Sequence, residues 1–100
     1  MTKSAAPQLH IVLVDIDPAL DEAFNAWYDT VHRPDILACS GWLTATRHRC
    51  LEGGPRYAAI YEITGPEAFD TPEFHAIKGF GPFTPDIFDF KRLRLAPIGR

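Results

Sequence analysis

The chain is poor in cysteine and carries no large excess of one charge. Only Cys39 and Cys50 occur in 100 residues. In a reducing compartment two such residues are free thiols, so no disulfide framework is expected. The formal net charge is −3, with basic and acidic residues intermixed. That balance excludes a nucleic-acid groove and argues against an anionic membrane surface. No segment approaches the run of about 20 apolar residues that crossing a bilayer requires. The first eight residues, MTKSAAPQ, lack an apolar stretch of signal-peptide type, so a cytoplasmic protein with a flexible leader over residues 1–8 is expected. The four histidines show no HxH, HxxxH or HExxH spacing, and no metal site is expected. GxGxxG, GxxxxGK and GxSxG are all missing, which argues against nucleotide binding and a serine-hydrolase elbow.

What is present reads as one domain of 100 residues, with a small core and a rather high 12% of aromatic residues. Leu9 to Ile16, LHIVLVDI, is apolar on both alternating faces and reads as a central strand. Asp17 to Gly41 holds the longest helical pattern. Asp17 is an N-cap, Pro18 suits the first helical position, and Leu20, Phe24, Trp27 and Val31 form one apolar stripe. Tyr28, His32 and Asp35 fall along its flank. Pro34 disfavours a helical Arg33, so a kink or end is expected there. Trp42 to Leu51 alternates as a strand, with Trp42, Thr44, Thr46, His48 and Cys50 on one face. After the turn Glu52–Pro55, Arg56 to Thr64 is its expected hairpin partner. A second helical region starts at Gly65–Pro66, its main piece capped by Thr71 and ending near Gly79. Phe80 to Pro85 reads as irregular, and Ile87 to Leu95 as the fourth strand.

The order β-α-β-β-α-β predicts an α+β, ferredoxin-like fold: a four-stranded antiparallel sheet with two helices on one face. Its helix-free face would be apolar, so a homodimer enclosing a cavity is expected.

Four groups are candidates for catalysis. His32 has the residue type of a general acid or base near neutral pH, with Tyr28 one turn before it and Asp35 three residues after. A solvated histidine at a helix end is the plainer alternative. His48 would stand in the cavity beside Thr44 and Thr46, or else merely end an exposed strand. His75 lies at the second helix, where a surface position is the alternative. For binding, Arg47 has the fork that holds a carboxylate. As an alternative, Arg47 and Arg49 are both surface charges. Trp27, Trp42 and Tyr61 would wall a pocket, and His10 lies in a buried-looking strand. Cys39 has no cation fixed beside it by sequence.

The run AWYDTVHRPDILACSGWLTATRH, with PRYAAIYEI and TPEFHAIKG, resembles the dimeric α+β barrel superfamily, in particular its EthD-like and methylmuconolactone-methylisomerase-like branch. The likeness runs from about Leu9 to Leu95. It implies a homodimer of ferredoxin-like subunits with one pocket each. The superfamily includes cofactor-free isomerases, cyclases, monooxygenases and lyases, and some members bind haem. The helix-one histidine of the isomerase-like branch falls on His32, and a second-helix histidine of cyclase-like members falls near His75. Ala45 stands where isomerase-like members carry a tyrosine. The strand-one Asn and strand-three Trp of haem-degrading members are missing from LHIVLVDI and RYAAIYEI, which disfavours haem degradation. The expectation is a cofactor-independent enzyme transferring a proton on a small, acidic, unsaturated substrate, such as an aromatic ring-cleavage product or polyketide fragment. The alternatives are a non-catalytic binder of small molecules and a cofactor-free monooxygenase.

Overall fold

The computed structural model describes residues 6–98. Residues 1–5 of the expected leader lie outside the described residues, and Gln8 already belongs to the first strand. The elements are β1 (Gln8–Ile16), a 3₁₀ turn (Pro18–Leu20), α1 (Asp21–Trp27), a π turn (Tyr28–His32), α2 (Arg33–Leu37), β2 (Trp42–Arg49) and β3 (Tyr57–Ile63). After them come a 3₁₀ turn (Pro66–Asp70), α3 (Pro72–His75), a further 3₁₀ stretch (Gly81–Asp86) and β4 (Ile87–Leu95). All strand pairs are antiparallel, in the order β2-β3-β1-β4. The twice-apolar β1 therefore sits inside the sheet, as its composition requires. The architecture is the ferredoxin-like one.

Capping follows the sequence. The Asp17 carboxylate accepts from the Ala19 N–H at 3.0 Å, and the Thr71 hydroxyl accepts from the Phe74 N–H at 3.2 Å. Pro34, however, does not end the helix. Arg33 stays helical, and its N–H reaches back five residues to the Tyr28 carbonyl. This π turn takes up the proline and rotates the buried stripe. Phe24, Tyr28, His32 and Ile36 now face the sheet, each four residues from the last, while Val31 is 44% exposed. Val31 therefore leaves the expected stripe, and His32 enters the core.

The second helical region is shorter than expected. Its α-helical part is one turn ending at His75, and Gly81–Asp86, read as irregular, is 3₁₀.

Strand β2 departs from simple alternation. Trp42 pairs with Ile63 but Thr44 pairs with Glu62, so Leu43 is an inserted residue. The bulge moves Trp42 to the helix-covered face with Ala45 and Arg47, and there its indole N–H donates to the Ala68 carbonyl at 3.0 Å. Thr44, Thr46 and His48 remain on the opposite face.

Gly41, just before β2, has φ +90°, and a Cβ on it would lie 2.9 Å from the Ala68 Cβ. Its carbonyl also accepts from the Thr64 N–H at 2.9 Å. Gly41→Ala is expected to cost roughly 1–3 kcal/mol through left-handed backbone strain, with the close contact adding to it. Urea midpoints of the two proteins measure this, and equal midpoints would refute it.

Candidate functional site

A cavity of about 230 Å³ opens between the helix-covered face of the sheet and the segments packed on it. Strands β1 and β3 supply His10, Val12 and Tyr61, and the π turn supplies Tyr28 and His32. Trp42, Phe69, Phe74 and Phe80 close the sides, and Arg92 of β4 stands at the border. Register explains the grouping: His10 pairs with Tyr61 on one side and Arg94 on the other, and Val12 pairs with Arg92.

Both imidazoles are enclosed by rings. His10 stacks on Tyr61 and meets Trp42 and Phe69 edge-on, the latter at 5.0 Å between centroids. His32 stacks on Trp27 at 4.7 Å and meets Tyr28 edge-on at 4.8 Å. Their exposures are 6% and 7%. Burial in this apolar setting disfavours the imidazolium and lowers both pKa values to about 4. For His10, Arg92 and Arg94 press the same way. For His32, Asp35 opposes the shift and Arg47 adds to it. At neutral pH both rings are uncharged and can accept a proton or a hydrogen bond.

The hydroxyls of Tyr28 and Tyr61 are hydrogen-bonded to each other. Burial raises both their pKa values, so the pair is protonated at neutral pH.

The cavity gathers His32, Tyr28, His10, Trp42 and Tyr61 from the sequence candidates. Trp27 backs His32 from outside it. Three candidates lie elsewhere. His48 is exposed on the helix-free face, its Nε2 2.9 Å from the Thr46 hydroxyl, because the Leu43 bulge separates its face from that of Trp42. His75 is exposed, with Nε2 2.9 Å from the Phe69 carbonyl, because α3 ends at that residue. Arg47 is on the right face but does not reach the cavity: it donates to the Asn25 side chain at 2.8 Å and lies over the Tyr28 ring. The arginine that lines the cavity is instead Arg92, which was not singled out from the sequence. Its signal was there, in the alternation of KRLRL, which puts Arg92 and Arg94 on one face and Leu93 and Leu95 on the other.

Cys39 is buried, and its thiol, 3.4 Å from the Asp35 carbonyl, is pushed up by burial and then by Glu73 and Asp35. That is the opposite of an activated nucleophile. No helix among the described residues is long and apolar enough to cross a membrane.

No family model matches this sequence, and no curated protein matches it significantly. Solved structures do resemble it. A dabb family protein with a ferredoxin-like fold from Mesorhizobium loti is 14% identical with TM-score 0.73, covering 94% of this chain and 99% of its own. A monooxygenase of Streptomyces coelicolor, ActVA-Orf6, in complex with nanaomycin D, is 17% identical with TM-score 0.68, covering 95% and 90%. The haem-degrading protein MhuD of Mycobacterium tuberculosis, with two haems in its active site, is 18% identical with TM-score 0.69, covering 94% and 98%. At such identities the likeness speaks for architecture alone, and on it this chain is a ferredoxin-like α+β protein.

Proposed function

We propose that the cavity binds a small planar phenol or enolisable ketone and that the protein is a cofactor-independent monooxygenase acting on it. The observation that carries this reading is a neutral, buried His32 facing an aromatic-walled chamber beside a hydrogen-bonded tyrosine pair. His32 takes the acidic proton of the substrate, leaving an electron-rich anion. Such an anion can reduce dioxygen without help from a metal or flavin. One oxygen atom enters the carbon framework as a new carbonyl in place of a CH₂ group, and the other leaves as water. The two C–H bonds broken at that carbon supply all four electrons, and their hydrogens leave in the water. The likeness in fold to the Streptomyces monooxygenase supports this choice. A porphyrin is larger than a cavity of about 230 Å³, so haem does not fit the site as formed.

The same base acting without dioxygen would carry out the isomerisation, cyclisation or lyase step expected from the EthD-like resemblance. An acidic substituent on the substrate, held by Arg92 at the cavity border, favours neither over the other. Oxygen uptake decides: with anthrone- or quinol-type substrates the protein should consume one O₂ per product formed. Substrate turnover with no oxygen consumed would replace the monooxygenase reading by the proton-transfer one. Arg92→Ala should weaken binding of substrates with a carboxylate about tenfold and leave uncharged analogues unaffected, as isothermal titration will report.

The helix-free face supports a homodimer. Ile11, Leu13 and Ile60 lie there half-buried, and Leu93 and Leu95 are 40% and 43% exposed. A second copy would cover this apolar surface. Sedimentation equilibrium at micromolar concentration should give twice the chain mass, and a single chain mass would refute it.

A further inference from the structure

Two phenolic hydroxyls hold two protons, and the hydrogen bond between Tyr28 and Tyr61 uses one of them. Among the described residues neither hydroxyl has another hydrogen-bond partner, and both tyrosines line the cavity. One O–H is thus left to donate to whatever the cavity holds. Its own oxygen meanwhile accepts from its neighbour, so a proton can shift along the pair as charge develops. Behind it stands a cation that the cavity itself does not touch. The Arg47 guanidinium lies 4.2 Å from the centroid of the Tyr28 ring and also approaches Phe24 and Tyr57. One of its arms is fixed on the Asn25 side chain at 2.8 Å, while its buried Nε has no partner among the described residues. Among the described residues no carboxylate pairs with this arginine, so its charge is not cancelled where it stands. A half-buried cation with a buried, unpartnered Nε gains from a negative charge formed nearby, where part of the solvent screening is removed.

We propose that Tyr28 and Tyr61, backed by Arg47, form an oxyanion site that takes the phenolate or enolate oxygen of the ligand. Resting on the small-molecule reading above, this makes the anion formed by deprotonation, not the neutral parent, the species the cavity holds best. It assigns Arg47 a positioning and electrostatic part in place of direct contact with a carboxylate. One tyrosine hydroxyl donates to the oxygen while the other donates to the first, and the arginine acts through the Tyr28 ring.

The test uses 4-nitrophenol, whose ionised and neutral forms absorb at different wavelengths, and 4-nitroanisole, which has the same outline but cannot ionise. Spectrophotometric titration of the full chain gives the affinity for each form. Wild type should bind the phenolate more tightly than the phenol. Tyr28→Phe, Tyr61→Phe and Arg47→Met should each lower phenolate affinity about tenfold, the size expected for one charge-assisted hydrogen bond. Affinity for 4-nitroanisole should stay within about twofold in all three. Equal losses for both probes would mean damaged packing and would overturn the assignment. Unchanged phenolate affinity in both tyrosine variants would overturn the oxyanion site and leave the ligand cavity standing. Failure of wild type to bind either probe would overturn the cavity reading and this one with it.

Discussion

Unfolding free energy should fall by about 5 kcal/mol between pH 6.5 and pH 4, roughly 2 kcal/mol per pH unit on average. Two groups produce it. In the unfolded chain His10 and His32 titrate near the ordinary 6.5, and in the folded chain near 4. A lowered histidine pKa means the folded state prefers the neutral ring. Above pH 6.5 both states are neutral and stability does not depend on either group. From 6.5 down to 4 the unfolded chain binds one more proton per histidine, so each step down favours unfolding. Below 4 both states are charged and the penalty levels off. The depressed carboxylates, Asp21 and Glu67, start from ordinary values of 3.8 and 4.5, so their loss falls mostly below this window. A domain of this size has about 5–15 kcal/mol of stability, so the histidine term alone removes a third or more of it by pH 4. Urea melts at several pH values will give the slope. His10→Phe and His32→Phe, which keep a ring in each cage, should each halve it. A flat profile between pH 6.5 and 4.5 would show that the two rings are not buried as described.

Neither imidazole could be placed this way from sequence alone, and the reasons are local. The apolar run of β1 and the caps at Asp17 and Thr71 are written in neighbouring residues, so they were legible. The turn at Glu52–Pro55 and the strand order from β-α-β-β-α-β were legible for the same reason. His32 was read at the border of a stripe through Val31, because an ordinary helical period was assumed. The π turn inserts an extra residue per turn and brings Phe24, Tyr28, His32 and Ile36 into line. A proline at 34 was the visible hint, but it signals a break as readily as a π turn. The bulge at Leu43 had no hint at all, since WLTATRHR alternates without fault. It sent Trp42 to the cavity side and left His48 on the far one. The walls contributed by Phe69, Phe74 and Phe80 come from segments with little regular structure, which periodicity does not address.

Replacing His32 by phenylalanine should lower kcat by about 10²–10⁴ while KM changes little. The substitution keeps the stack on Trp27 and the edge contact with Tyr28, so the fold and the cavity walls persist, and only the proton acceptor is removed. His48→Ala and His75→Ala should leave kcat unchanged, because neither ring reaches the cavity. The pH profile carries independent information. The base works in its neutral form, so kcat/KM should hold across neutrality and fall as pH drops through about 4, the value burial imposes on His32. An ordinary exposed histidine would give the fall near 6.5 instead. A base with so low a pKa is intrinsically weak, and it can serve only if the anion it creates is held at the moment of transfer. That ties the two halves of the site together. His32→Phe should lower turnover by that factor without weakening phenolate binding, and Tyr61→Phe should weaken phenolate binding as well as turnover. If His32→Phe retains full turnover, the proton goes elsewhere, and His10 is the remaining buried imidazole to test.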